Sequence, residues 1–353
     1  MPLEIPDFEL LGVLSQKFLM QEGISGVSVV RGSGRRVRVY VESEEYVPFI
    51  PNELADSPVE VVVAGRFRIL GSAAVENRFR FRPVPGGCSI GTLEGGTGTL
   101  ACWVYDAGNG RRLMLSNRHV FDGPQGTPVI QPGVHDGGSY PDDVVGYVLR
   151  YSQIGQPPMH NSVDAAVAVP ADPGLVSDEV IGLDVVYELA EPYEGMVVAK
   201  SGRTTGVTAG TIIDTNVSIK VYGYPFGYAI FTNQILVMPA MGQPGDSGSL
   251  TVDRDTGKVV GLLFSGSDRA TAINRMDLVL QVLGVSLKPG SVLSVPRAVD
   301  WRPILAGLAP VVAVGSVISV NELADLLPAL KGEAFSWAQH RARPPRPRPC
   351  RPP

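Results

Sequence analysis

Apolar side chains at Phe8, Leu11, Leu14, Phe18 and Leu19 recur at helical spacing, and Gly23 follows as a stop signal, so the pattern predicts a helix over residues 8–20. The period then changes. Short β-branched runs at Val27–Val30, Val37–Val41 and Val59–Val63 read as strands, the first two split by a Gly-Ser-Gly turn. A Pro-containing stretch, Val47–Pro58, separates the last two and carries a helical turn. Together they predict a small α+β module over residues 1–84, closed by the linker-like Pro83-Val-Pro-Gly-Gly.

Beyond it, strands and turns dominate. Thr97–Tyr105 and Arg111–Ser116 flank Asp106-Ala-Gly-Asn-Gly, and Leu250–Asp253 and Val259–Phe264 flank Arg-Asp-Thr-Gly-Lys; both read as hairpins. Val163–Val169, Met196–Ala199, Thr211–Asp214, Ser218–Tyr222 and Ile235–Met238 are further strands. Ala272–Gly284 reads as a strand end running into a helix. This density of short strands predicts a mainly β barrel or sandwich over residues 85–295. Residues 296–339 form an apolar, helical segment, and 340–353 a Pro/Arg-rich tail expected to be extended and solvated.

Composition narrows the function classes. The chain has 353 residues, 44% hydrophobic and 18% charged, enough for a sizeable core. A net charge of -5 gives no basic field for nucleic acid, although the tail carries arginines and no acid. Cys88, Cys102 and Cys350 are too few for a disulfide framework; they suit a reducing compartment and leave one Cys88–Cys102 bridge open. No Cys/His spacing suggests a metal site, and no cofactor motif is present: Gly95-Gly-Thr-Gly-Thr lacks the lysine of a phosphate loop. His135 and His160 fall in Gly/Pro-rich loops and are expected to be solvated. The N-terminus has acids where a signal peptide needs bases, so the expected location is cytoplasmic. The apolar run Ile304–Val320 is at the lower limit for a membrane span; with Gly307, Pro310 and Gly315 inside it, a buried segment is the favoured reading and membrane anchoring the lesser one.

Three segments carry chemistry. In Gly245-Asp246-Ser247-Gly248-Ser249, a glycine-flanked turn can present Ser247 Oγ and aim the N–H groups of Gly245 and Ser247 at an oxyanion. In Leu115-Ser116-Asn117-Arg118-His119-Val120, an apolar strand ends in a histidine, which holds a base rigidly. In Val163-Asp164-Ala165-Ala166-Val167-Ala168, an acid among small apolar residues can fix the histidine tautomer. The order is His, Asp, Ser, with separations of about 45 and about 80 residues.

In this order and context the three segments resemble the trypsin/chymotrypsin-like serine peptidase superfamily. Ser201-Gly202-Arg203-Thr204-Thr205-Gly206 resembles bacterial members such as alpha-lytic protease. The layout over residues 20–290 is similar to a group of intracellular trypsin-like proteins that includes the plant NARROW LEAF protein. The resemblance implies a chymotrypsin-like double β-barrel and a serine endopeptidase acting on protein or peptide substrates. It implies His119, Asp164 and Ser247 as triad, Gly245 and Ser247 as oxyanion hole, and Arg203 paired with Asp246. It places the substrate pocket at Met241 and Ser265-Gly266-Ser267, with Ser265 also near Asp164. An uncharged Met241 implies an apolar or small P1 side chain. A catalytically silent peptide-binding or assembly module is the alternative. Homo-oligomerisation is compatible with either.

Overall fold

The computed structural model describes residues 6–31, 34–67 and 76–290, together with two short paired strands at Val312–Ala313 and Ser316–Val317. The rest of residues 296–353, with most of Ile304–Val320, lies outside the described residues. Among the described residues no helix is long and apolar enough to cross a membrane.

The first helix spans Asp7–Phe18 and buries Leu10, Leu11, Leu14 and Phe18 on one face, with Phe8 left largely exposed. It packs on an antiparallel pair, Ile24–Arg31 with Arg35–Val41, and Ser57–Val63 adds in parallel. The helical turn of the intervening stretch is Glu44–Phe49. This sheet does not end with the module. Gly26, Val27 and Ser28 pair with Ile219, Ser218 and Val217, so the N-terminal strands extend a sheet built by residues two hundred positions later.

That later sheet curls into a closed ring. Val197–Gly202 pairs with Gly206–Tyr224, which pairs with Gly227–Met238. Thr271–Arg275, Lys258–Gly266 and Leu250–Asp253 follow in order, and Leu250–Asp253 returns to Val197–Gly202. The separate strands expected at Thr211–Asp214 and Ser218–Tyr222 are one strand of 19 residues, Gly206–Tyr224, kept continuous by register shifts between Ile212 and Ile219. The bulges let a long strand bend around a small barrel. The first barrel has strand order Val285–Ser286, Cys102–Asp106, Arg112–Ser116, Ala166–Pro170, Val144–Tyr151, Pro128–Ile130, Ser89–Thr92 and Thr97–Thr99. Two β-barrels thus stand side by side in a mainly β, chymotrypsin-like double-barrel fold. The helix Met276–Leu283, ended by Gly284 in the left-handed region, packs its apolar face into a core that residues of both barrels share.

The linker reading of residues 83–87 does not survive. Val84–Gly86 is a buried strand paired in parallel with Val176–Val180, and Trp103 donates its indole N–H to the Val84 carbonyl at 2.7 Å. Pro and Gly there serve close packing: a Cβ at Gly86 would stand 2.3 Å from the Ala101 carbonyl oxygen. Cys88 and Cys102 are free and buried, which pushes both thiols up and makes them poor nucleophiles.

One polar group ties module to barrel. Ser28 and Tyr40 both donate to Oδ2 of Asp214, a carboxylate buried in the long strand. Burial pushes the Asp214 carboxyl above its ordinary value, against the pull of these hydrogen bonds. The folded state therefore holds this proton more tightly than the unfolded chain. The resulting stability is present at low pH and is lost as pH rises through the raised value. Asp214→Asn removes the titration, so wild type should lose ground against the variant from about pH 4 upward. Urea midpoints across pH measure this; parallel profiles for the two proteins would contradict it.

Candidate active site

The histidine and the acid come from one barrel. The strand Arg112–Ser116 runs beside Ala166–Pro170, with Ser116 opposite Ala166. The chain leaves the first strand in a turn in which the N–H groups of Val120 and Phe121 donate to the Asn117 carbonyl. His119 projects from that turn. Its Nδ1 lies 2.7 Å from Oδ2 of Asp164, and its backbone N–H donates to Oδ1 at 3.2 Å. With Nδ1 on a carboxylate, the ring proton sits there and the Nε2 lone pair is left free to act as a base. Nε2 has no hydrogen-bond partner among the described residues.

Asp164 is fully buried. Burial alone would raise its pKa; the charge on His119 and hydrogen bonds from His119 and Tyr224 outweigh burial and hold the carboxyl below the usual carboxylate range. Its backbone is clamped as well. Asn117 donates to its carbonyl at 2.7 Å, and Asn274, from the second barrel, accepts from its N–H at 3.1 Å and donates to its carbonyl at 3.3 Å. Tyr224 Oη donates to Oδ2 at 2.8 Å.

Ser247 comes from the other barrel, on the turn that enters Leu250–Asp253. Gly245 and Gly248 have φ of 96° and 94°, a region that only glycine adopts without strain. There is no room for more: a Cβ on Gly248 would meet the Thr99 carbonyl oxygen at 2.1 Å, and one on Gly245 would meet Arg203 Nη1 and Thr204 Oγ1 at 2.4 Å. Thr204 Oγ1 donates to the Pro244 carbonyl at 2.6 Å and Thr99 Oγ1 donates to the Gly245 carbonyl at 2.8 Å. Because a trans peptide points its N–H opposite its C=O, the first of these bonds turns the Gly245 N–H away from Thr204. Neither the Gly245 nor the Ser247 N–H has an acceptor among the described residues. Thr99 also donates its own N–H to the Ser247 carbonyl at 2.8 Å, so a first-barrel strand holds the Ser247 turn at both ends.

His119 and Ser247 line one cleft of about 510 Å³, together with Gly96, Thr97, Arg118, Tyr151, Tyr224 and Phe226. Ser247 Oγ points to the Phe264 carbonyl oxygen at 3.3 Å, a long contact for a hydroxyl. Oγ makes no hydrogen bond to His119 Nε2 here, and bonds of this kind often tighten only when substrate is bound.

The expected Arg203–Asp246 pair is not what the fold builds. Arg203 turns to Asp136 and makes a bidentate contact, Nε to Oδ2 at 2.5 Å and Nη2 to Oδ1 at 2.7 Å. Burial would raise the Asp136 carboxyl, and the guanidinium outweighs it and holds the carboxyl low. Asp246 is held instead by the N–H groups of Thr204, Thr205 and Gln243 at 2.8, 3.1 and 2.8 Å and by the Thr205 hydroxyl at 2.7 Å. Its cation is Lys200, whose Nζ lies 3.2 Å away on a fully buried side chain. The reason is geometric. Lys200 lies in the strand Val197–Gly202 and Arg203 in the turn that follows; Arg203 reaches Asp136 of the first barrel, while Lys200 Nζ reaches the Thr205 hydroxyl, the Gly206 carbonyl and Asp246.

The expected substrate pocket is also changed. Met241 is buried among Met196, Val198, Ile235 and Leu263. Ser265 and Gly266 are buried and Ser267 is half-buried, and none of the four lines the cleft. The segment Ala64–Phe67 covers this wall: Ser267 Oγ donates to the Ala64 carbonyl at 2.5 Å, and Phe67 is fully buried beside Phe264 and Ala270. His135 is exposed with Nδ1 2.8 Å from Thr97 Oγ1, whereas His160 is partly buried and desolvation lowers its pKa.

No protein-family model matches the chain, and no curated protein matches it. Among solved structures it is similar to a glutamic acid specific serine protease at 20% identity, covering 58% of this chain and 100% of that one with a TM-score of 0.43. It is similar to the Nocardiopsis protease NAPase at 19% identity, 57% and 97% coverage and a TM-score of 0.42. It is similar to Thermobifida fusca protease A at 21% identity, 58% and 98% coverage and a TM-score of 0.43.

Proposed function

We propose that the chain is a serine endopeptidase working through an acyl-enzyme. The observation that carries this reading is the pairing of His119 Nδ1 with buried Asp164 at 2.7 Å while Nε2 is left without a partner in the cleft that Ser247 also lines. His119 takes the Ser247 proton as Oγ attacks the scissile carbonyl. Asp164 holds the ring and stabilises the imidazolium. The N–H groups of Gly245 and Ser247 receive the oxyanion. His119 then protonates the leaving amine, and water repeats the sequence on the ester. No metal or organic cofactor enters these steps. Arg203 and Asp246 support the site separately, Arg203 through Asp136 and Asp246 through Lys200. Tyr151, Tyr224 and Phe226 give the cleft aromatic walls, so an apolar or small P1 side chain is the preferred substrate.

The contact of Ser247 Oγ with Phe264 favours a second reading, a silent peptide-binding module. Digestion of a peptide library, with products read by mass spectrometry, separates the two. The protease reading expects cleavage after apolar or small residues that disappears in Ser247→Ala. Peptide binding without cleavage by wild type would establish the silent module.

A further inference from the structure

We propose that Tyr224 is a positioning residue for the Asp164–His119 pair, placed across the barrel interface by the hairpin that roofs the cleft. The inference rests on the protease reading above and adds a residue outside the three motifs that carry it.

The hairpin consists of Gly206–Tyr224 and Gly227–Met238, and its tip reaches from the second barrel to the acid of the first. Tyr224 Oη donates to Asp164 Oδ2 at 2.8 Å, the same oxygen that faces His119 Nδ1 at 2.7 Å. A carboxylate can turn about its last bond. A donor from each side, with the His119 N–H on Oδ1, fixes its plane and holds Oδ2 in line with the imidazole. Tyr224 suits this task chemically. Burial and the neighbouring Asp164 charge push its phenol well above its ordinary value, so it stays a neutral donor wherever the triad works. The other charged groups lining the cleft near His119 are Arg118 and Asp122, which satisfy each other, with the Arg118 guanidinium over the Tyr151 ring.

The tip is rigid enough for positioning because the N-terminal module braces it. Tyr222 donates its N–H to the Phe67 carbonyl at 3.1 Å, and the Arg66 guanidinium lies 4.5 Å from the Tyr222 ring centre. Lys220 Nζ donates to the Gln21 carbonyl at 2.8 Å. At the tip itself, the Tyr224 ring stacks on Phe226 at 5.6 Å and 8° and packs on Phe231.

Tyr224→Phe removes the hydroxyl and keeps the ring that walls the cleft. A hydrogen bond to a buried charge supports a fall in kcat of about tenfold or more, with KM within about twofold because Oη does not face substrate. A second readout does not need turnover. In the Ser247→Ala protein, the low-field proton resonance of the His119 Nδ1–H should shift or broaden when Tyr224→Phe is added, with melting and circular dichroism showing both proteins folded. An unchanged kcat together with an unchanged resonance overturns the proposal. If wild type hydrolyses no peptide, the protease reading fails on that result, and the resonance alone still decides whether Tyr224 positions the pair.

Discussion

Asp164→Asn is expected to lower kcat by about 10⁴ while leaving a folded protein. The carboxylate sits between three donors: the His119 ring N–H, the His119 backbone N–H and the Tyr224 hydroxyl. An asparagine offers one oxygen and one NH₂ to this arrangement. If the NH₂ faces the ring, Nδ1 must become an acceptor and the ring proton moves to Nε2, where it cannot accept from Ser247. If the oxygen faces the ring, the NH₂ opposes the His119 backbone N–H. The first orientation removes the base, and the second keeps it only at the cost of two donors facing each other. The substitution should also change the acid side of the stability profile. Asp164 is held below the usual carboxylate range, so it contributes stability that is present above about pH 4 and is lost as pH falls through the depressed value. The asparagine variant lacks that decline. Kinetics on a chromogenic peptide measure the first effect, and activity within tenfold of wild type would contradict the assigned role.

Lys200→Met is expected to cost about 3 kcal/mol, or roughly 6–12 °C in Tm for a domain of this size. The side chain is fully buried and desolvation lowers its pKa; Asp246, 3.2 Å away, opposes that effect. Methionine fills the space and leaves a buried carboxylate without its cation, although four hydrogen-bond donors remain. Because Asp246 pins the turn that carries Gly245 and Ser247, activity should fall alongside stability. Adding Asp246→Asn removes the orphaned charge and should restore much of the loss, which a double-mutant cycle reads directly. A single-variant loss below about 1 kcal/mol, where exposed ion pairs fall, would show that the pair does not matter.

The contrast between Lys200 and Arg203 shows where sequence reading stops. A motif says which residues crowd a turn but not the direction in which each side chain leaves it. Lys200 lies in the strand and Arg203 in the turn after it, and where the fold sets Asp246 and Asp136 decides which carboxylate each cation meets. The segments around His119, Asp164 and Ser247, which the fold brings together, carry local signals: flanking glycines, a strand ending in histidine, an acid among small residues. Tyr224 gave no such signal. It lies 60 residues after the acid it meets, at the tip of a hairpin whose two strands read as separate pieces. The helix Asp7–Phe18 and the strands of the first 63 residues were legible from periodicity, but their junction with the second barrel was not. A β-edge carries no mark of its partner, and Gly26 opposite Ile219 follows from the closed ring. The same blindness explains the pocket. Ser265-Gly266-Ser267 reads as an open wall, and Ala64–Phe67 covers it from a distant part of the chain.

The most direct test of the central claim is covalent labelling with a fluorescent fluorophosphonate, which reacts with a serine only when a base and an oxyanion site activate it. Wild type should label, and both Ser247→Ala and His119→Ala should lose the label while remaining folded. Labelling that persists in Ser247→Ala, or a folded wild type that takes no label, would contradict the assignment of Ser247 as an activated nucleophile.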